Sequence, residues 1–130
     1  LGDVYKRQVT DVTGFSFLGH LHEMMGEKLS SVIDAHAVPI LPGAWEAADA
    51  CLYTAAGQRN RNHTGPFVRF EKVPFPMEEI LFDPQTSGGL LMAVEEKDAE
   101  ICLRELRDAI PTAAAVGYVT EKQDSWIVLE

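Results

Sequence analysis

The sequence has little cysteine, no long apolar run and few basic residues, and each shortage excludes a class of protein. Its only cysteines among 130 residues, Cys51 and Cys102, are not spaced as zinc ligands or as a redox pair. We expect two free, buried thiols, one in each of two helices. No apolar run approaches the ~18 residues that a membrane span needs, and no signal peptide is visible. The sequence therefore predicts a cytoplasmic protein without a membrane partner.

The charge is strongly one-sided. Lys and Arg number 11 against 20 Asp and Glu, which gives a formal net charge of −9 at pH 7. A surface that binds nucleic acid needs clustered basic side chains, so direct nucleic-acid binding is not expected. An acidic protein can still bind a nucleotide when a metal ion neutralises the phosphates.

What is present is typical of one globular domain. Apolar residues make up 46% and charged residues 24% of the chain. Strand-like and helical segments are mixed along it, which predicts an α+β fold: a mixed β-sheet with helices packed against it. Strands are predicted at residues 9–12, 29–37, 67–73 and 90–94, with a closing hairpin of 113–120 and 125–129; helices are predicted at 14–26, 43–52, 77–82 and 97–109, and a solvated loop at 57–66.

The first candidate site lies where a short strand meets a helix. Asp11 stands among hydroxyl residues at the end of the strand, and an apolar pattern of helical period follows Gly14. A helix start presents free N–H groups that attract phosphate oxygens, and a neighbouring carboxylate can share a divalent cation with them. Alternatively, Asp11 or Thr13 is simply the N-cap of the helix. The local sequence leaves both interpretations open.

The second candidate is the segment 83–89, DPQTSGG. Its two glycines, Gly88 and Gly89, are expected to adopt positive φ angles and to form a concave nest of N–H donors. It is not a Walker A loop, because the lysine and the glycine spacing of that motif are missing. The alternative is a tight turn that leads into the strand 90–94.

Both segments resemble signatures of one family. Residues 10–20, TDVTGFSFLGH, resemble the TDVTGFGxLGH motif of selenophosphate synthetases, which are selenide, water dikinases. Residues 81–91, LFDPQTSGGLL, match a second motif of that family, and LPGA at 41–44 is a weaker counterpart. The resemblance extends over residues 9–130 and covers only the C-terminal half of such an enzyme.

The resemblance implies a fold and an activity. The fold is that of the C-terminal domain in the superfamily that includes aminoimidazole ribonucleotide synthetase. The activity is conversion of ATP, selenide and water to selenophosphate, orthophosphate and AMP. In the enzymes that the chain resembles, Mg²⁺ bridges the triphosphate and acidic residues, and the enzyme is a homodimer.

The resemblance also implies roles for single residues. Asp11 matches the magnesium-binding aspartate of the family, and its carboxylate would hold a hard cation against phosphate oxygens. No catalytic residue is expected in this chain. The residues expected to shape the phosphate or nucleotide site are Thr10, Thr13, Gly14, Thr86, Ser87, Gly88 and Gly89.

Two departures from the family pattern bear on these expectations. Ser16 stands where the family has glycine, which is either harmless or crowds the start of the helix. The N-terminal ATP-binding half is also missing, with the family's nucleophilic cysteine or selenocysteine, its lysine and its other metal-binding aspartates. The chain alone is therefore expected to be inactive. Residues 1–8 are predicted to be a non-native or unstructured lead.

Two alternatives remain. One is a sister ATP-using synthetase of the same superfamily, and the other is a non-catalytic dimerisation domain descended from the enzyme. The segment 83–89 favours the selenium enzyme, and the presence of Asp11 argues against a non-catalytic domain.

Overall fold

The computed structural model describes residues 8–130 and shows helices together with parallel and antiparallel strands, so the predicted α+β class is confirmed. The strands are β1 (Gln8–Asp11), β2 (Leu29–Ile33), β3 (Val68–Phe70), β4 (Leu90–Ala93), β5 (Gly117–Glu121) and β6 (Ile127–Leu129), and the α-helices are α1 (Ser16–Met25), α2 (Ala44–Asp49), α3 (Ala55–Thr64), α4 (Phe75–Phe82) and α5 (Glu96–Ala109). Short 3-10 helices cover Ala35–Ala37 and Gly65–Phe67.

The strands form two sheets. β1 and β4 make an antiparallel ribbon, while the larger sheet has the order β3-β6-β2-β5. β6 runs parallel to both β2 and β3, and β5 is antiparallel to β2. The predicted hairpin of the last two strands is therefore wrong, because β2 lies between them and takes up the hydrogen bonds on both sides.

The core lies between the helices α1 and α4 and the strands β2 and β6. The apolar residues of α1 recur at helical spacing, as the sequence predicted, so they line one face. The side chains that meet there are buried: Leu18, Leu21, Met24 and Met25 of α1; Met77, Leu81 and Phe82 of α4; Ile33 of β2; and Ile127 and Leu129 of β6. This core fixes the direction of α1, and the first candidate segment lies just before it.

The predicted loop at 57–66 is wrong, because this segment forms most of α3. The hydroxyl of Thr54 accepts a hydrogen bond from the N–H of Gly57 at 2.9 Å and so caps the helix. Arg61 holds α3 on α4: its Nη2 lies 2.8 Å from Glu78 and its Nε 2.7 Å from Glu79, which is 5% exposed. Its guanidinium also lies 5.0 Å from the ring centre of Phe82. Tertiary contacts thus make a helix of a segment whose polarity is typical of a loop.

The ends of β2 and α2 and the burial of the two cysteines also differ from the prediction. β2 ends at Ile33, because the Asp34 carboxylate accepts from the N–H of His36 at 2.9 Å and starts a 3-10 turn. α2 ends at Asp49, and Cys51, which follows it with a φ of 60°, is exposed. Cys102 in α5 is only partly buried, so both thiols are free but neither is in the core.

The predicted lead at residues 1–8 lies almost wholly outside the described residues. Its last residue, Gln8, begins β1 and pairs with Ala93. The helices formed by residues 8–130 are all too short or too polar for a transmembrane span.

Candidate functional site

The fold brings the two sequence motifs together. The N–H of Val12 donates to the carbonyl of Gly89 at 2.9 Å, and the N–H of Gln85 donates to the carbonyl of Thr13 at 3.0 Å. Asp11 stands opposite Leu90 in the β1–β4 ribbon. Segments about 70 residues apart in the chain are therefore joined by backbone hydrogen bonds.

Gly88 permits this close approach. A Cβ atom there would lie 2.1 Å from the carbonyl oxygen of Val12 and 3.0 Å from the Cβ of Gln85. The expected positive φ angles are wrong, because the positive-φ glycines among residues 8–130 are Gly26, Gly43 and Gly117. Glycine is therefore needed at position 88 because any larger side chain would clash with the first motif. At Gly89 a Cβ would meet nothing within 4 Å.

The candidate residues occupy one region of the surface at the end of the ribbon. Asp11 and Gly14 are exposed on the first segment, whereas Thr10 and Thr13 are half-buried. The exposed candidates of the second segment are Thr86, Ser87, Gly88 and Gly89. This surface offers backbone groups, two hydroxyls and one carboxylate.

Asp11 does not cap α1. The N-cap residue is Phe15, which makes no side-chain cap bond, and the hydroxyl of Thr13 contacts His20 instead. The alternative that Asp11 or Thr13 caps the helix is therefore wrong.

The carboxylate of Asp11 has the hard oxygen donors that Mg²⁺ prefers. Within residues 8–130 no group of three or more His, Cys, Asp or Glu side chains is close enough to hold a metal ion. Magnesium sites often use only one or two protein carboxylates, with water and substrate phosphate as the other ligands. Asp11 thus fits one ligand of such a site, and the described residues do not make a complete site.

The start of α1 contains a strained residue. Ser16 is fully buried and has a φ of 72°, a left-handed conformation that costs an L-residue ~1–2 kcal/mol. Its N–H donates to the carbonyl of Thr13 at 3.0 Å, and its hydroxyl accepts from the N–H of Gly19 at 3.3 Å. Glycine would adopt this φ without strain, so serine at this position carries a conformational cost that glycine would not.

A buried histidine is linked to the first motif. His20 is 8% exposed, and its Nε2 lies 2.9 Å from the Oγ1 of Thr13. On its other side, Nδ1 lies 3.0 Å from Oε2 of Glu23. The sequence placed His20 in a motif without assigning it a role.

Asn60 of α3 was missed by the sequence interpretation. Its Nδ2 donates to the carbonyls of Gly14 and Phe82, both at 3.0 Å. One amide therefore joins the first motif to the start of the second. Asn60 lies within the segment 57–66 that was predicted to be a solvated loop, so the sequence analysis assigned it no role.

A groove of about 500 Å³ lies beside this junction, between α1 and α3. His22 on its wall stacks on Phe67, with ring centres 4.4 Å apart, and contacts Trp126 at 4.6 Å. Burial lowers the pKa of His22 from 6.5, and the nearby His63 and Lys122 lower it further, whereas Glu23 opposes the shift. The groove is lined by Phe15, Gly19, His22, Glu23, Arg59, Asn60, His63 and Thr64.

Comparisons with known proteins agree with these motifs. The family described as "AIR synthase related protein, C-terminal domain" matches residues 7–130. A selenide, water dikinase of Agathobacter rectalis is 53% identical over 116 residues, which cover 88% of this chain and 34% of that protein. Another from Desulfitobacterium hafniense is 44% identical over 120 residues, with 92% and 35% covered.

A third relative of the same name, from Pelobacter propionicus, is 44% identical over 133 residues, with 100% of this chain and 38% of that protein covered. The chain thus spans only 34–38% of the length of these curated relatives.

Proposed function

We propose that this chain, which belongs to the family "AIR synthase related protein, C-terminal domain", is the C-terminal part of an ATP-dependent selenide, water dikinase. The complete protein would convert ATP, selenide and water to selenophosphate, AMP and orthophosphate. The names of the relatives support this function. The single structural observation that supports it best is the meeting of the two motifs through Val12, Thr13, Gln85 and Gly89.

In this proposal Asp11 binds Mg²⁺ and the second segment binds phosphate. Magnesium bound there would neutralise negative charge on the phosphate groups. Because Asp11 and the exposed segment 86–89 lie at the same end of the ribbon, phosphate oxygens could contact both. The hydroxyls of Thr86 and Ser87 and the open space at Gly89 suit a hydrogen-bonded anion. Thr10 and Gly14 shape the junction through their backbone.

The remaining ligands would come from the rest of the protein, since the relatives are about three times as long as this chain. Val9 and Leu90 are 58% and 68% exposed, and the ribbon register places both on the face that carries Asp11. An exposed apolar face beside a candidate site supports a covering partner. We propose that the N-terminal part covers it, and that the isolated chain is inactive. The homodimer stays a prediction.

The test is phosphorus NMR of the full-length protein with ATP, Mg²⁺ and selenide. Selenophosphate formed together with AMP and orthophosphate would support the proposal. ADP without selenophosphate would identify a sister synthetase instead, and no turnover would favour a non-catalytic domain.

Asp11 is tested in the same assay by Asp11→Asn. The substitution keeps the size of the side chain but removes its charge, so we expect a loss of at least ~100-fold in kcat/KM, because a hard cation loses a charged ligand. Asp108→Asn, at an exposed position of α5, is the matched control and should change nothing. Full activity of the Asp11 variant would remove this residue from the site.

A further inference from the structure

The contacts of His20 restrict its tautomer and the hydrogen-bond role of its neighbour Thr13. Its Nδ1 is 3.0 Å from a carboxylate oxygen of Glu23, and its Nε2 is 2.9 Å from the hydroxyl of Thr13. A carboxylate only accepts hydrogen bonds, so Nδ1 must carry a proton. When the ring is neutral it has a single N–H, so Nε2 then accepts and the hydroxyl of Thr13 donates to it.

This arrangement leaves the hydroxyl of Thr13 without a proton for any other group. Its remaining lone pairs can accept from a hydrogen-bond donor such as water, but the hydroxyl cannot donate to a phosphate oxygen. The main chain of Thr13 is also engaged, since its carbonyl accepts from the N–H groups of Ser16 and Gln85, both at 3.0 Å. Thr13 thus connects α1 to the second motif.

We propose that His20 and Glu23 are positioning residues that hold the two motifs in their relative position. They fix the hydroxyl of Thr13 as a donor to His20, so that toward any other group it can only accept a hydrogen bond. Glu23 selects the tautomer of His20, and His20 orients the hydroxyl of Thr13, two residues after Asp11. Thr13 was expected to shape the phosphate or nucleotide site, and in this arrangement its hydroxyl can only accept a hydrogen bond from water or from another N–H or O–H group there. The expected effect of these residues on kcat/KM rests on the proposed function, whereas the tautomer of His20 does not.

The tautomer is tested by NMR of the full-length protein labelled with ¹⁵N at histidine, with the His20 signals assigned by their loss in His20→Phe. We expect one neutral ring with its proton on Nδ1. In Glu23→Gln, the amide can donate as well as accept, so we expect the preference for this tautomer to weaken. A ring protonated on Nε2, or on both nitrogens, at pH 8 would overturn the proposal.

The positioning role is tested by a double-mutant cycle on kcat/KM in the full-length protein. Thr13→Val and His20→Phe should each lower kcat/KM by about tenfold, and the double variant should be no more than about twofold worse than either, because His20 acts through Thr13. His20→Gln, whose amide oxygen can accept, should recover part of the loss. His36→Phe, at an exposed position, is the control.

Additive losses in the cycle would overturn the positioning role. A wild-type protein that makes no selenophosphate would instead reject the proposed function, and the tautomer measurement would still decide the hydrogen-bond arrangement. Thermal unfolding of each variant separates a loss of folding from a loss of positioning, since only variants that still unfold cooperatively enter the cycle.

Discussion

Gly88 and Gly89 are adjacent and exposed, but a side chain would meet different surroundings at each. A Cβ at Gly88 would overlap the carbonyl oxygen of Val12 at 2.1 Å, whereas one at Gly89 would meet no atom within 4 Å. Backbone cannot move aside as a flexible side chain can. The close contact between the two motifs therefore depends on Gly88.

We accordingly expect Gly88→Ala to lower the free energy of unfolding by about 2 kcal/mol or more, because the two segments must separate. Gly89→Ala should change it by less than ~0.5 kcal/mol and is the matched control. Urea unfolding of both variants checks this. Equal stability of the two variants would contradict the close approach at Gly88.

Ser16 gives a second prediction for a single residue. Its φ of 72° is strained, but its hydroxyl accepts from the N–H of Gly19. Ser16→Gly relieves the strain and loses the hydrogen bond, whereas Ser16→Ala keeps the strain and loses the same bond. We expect the Gly variant to be more stable than the Ala variant by ~1–2 kcal/mol. The midpoints of denaturant unfolding measure this difference, and an Ala variant at least as stable would show that Ser16 is unstrained.

Helix α1 is held at its C-terminal half by an aromatic stack. His22 contacts Phe67 and Trp126, and Lys122 Nζ lies 3.5 Å from the ring centre of Trp126. The stack joins α1 to the 3-10 turn before β3 and to the segment before β6. A charge on His22 would disturb it, because burial, His63 and Lys122 all disfavour the protonated ring.

The pH dependence of stability follows from this shift. The pKa of His22 is lower in the folded chain than its ordinary value of 6.5, so the unfolded chain binds the proton more readily. This contribution to stability is fully present above pH 6.5 and is lost as the pH falls through 6.5 toward and below the lowered pKa. We expect His22→Phe, which keeps an aromatic ring, to lose less stability than the wild type between pH 7.5 and ~5.

Unfolding free energies measured across this range test the prediction. The control is His36→Gln, since His36 is exposed and outside the stack. A wild type and a His22→Phe variant with parallel pH profiles would show that the stack does not depend on the protonation of His22.

The whole molecule is acidic, with a net charge of −9, and among residues 8–130 no group of three or more His, Cys, Asp or Glu side chains could hold a metal ion, so the Mg²⁺ site proposed at Asp11 needs ligands from elsewhere. We therefore expect Mg²⁺ and a non-hydrolysable ATP analogue to raise the melting temperature of the full-length protein, since binding stabilises the folded state. The 130-residue chain should show no shift under the same conditions. The full-length Asp11→Asn variant should show a reduced shift. An equal shift in the isolated chain would mean that these residues bind the nucleotide by themselves.

Helix α5 is less buried than its amphipathic sequence alone suggests. Helix α5 was predicted from its amphipathic sequence and is present, yet none of its residues is buried, and Ile101 is 52% exposed. The apolar pattern located the helix correctly because periodicity is local. It could not give the extent of burial, which depends on what packs against the helix.

The sequence by itself determined the α+β class, the existence of α1, α4 and α5, and the two motifs, because helical period, proline and glycine signals and motif residues are local in the chain. Only the tertiary structure decided that β6 lies beside β2 and not beside β5, and that the polar segment at α3 is a helix held by Arg61. The hydrogen bonds from Asn60 to Gly14 and Phe82, and the contact of Gly88 with Val12, likewise join residues far apart in sequence. Such contacts form only when the core sets the distance between segments, so no pattern within one segment could have specified them.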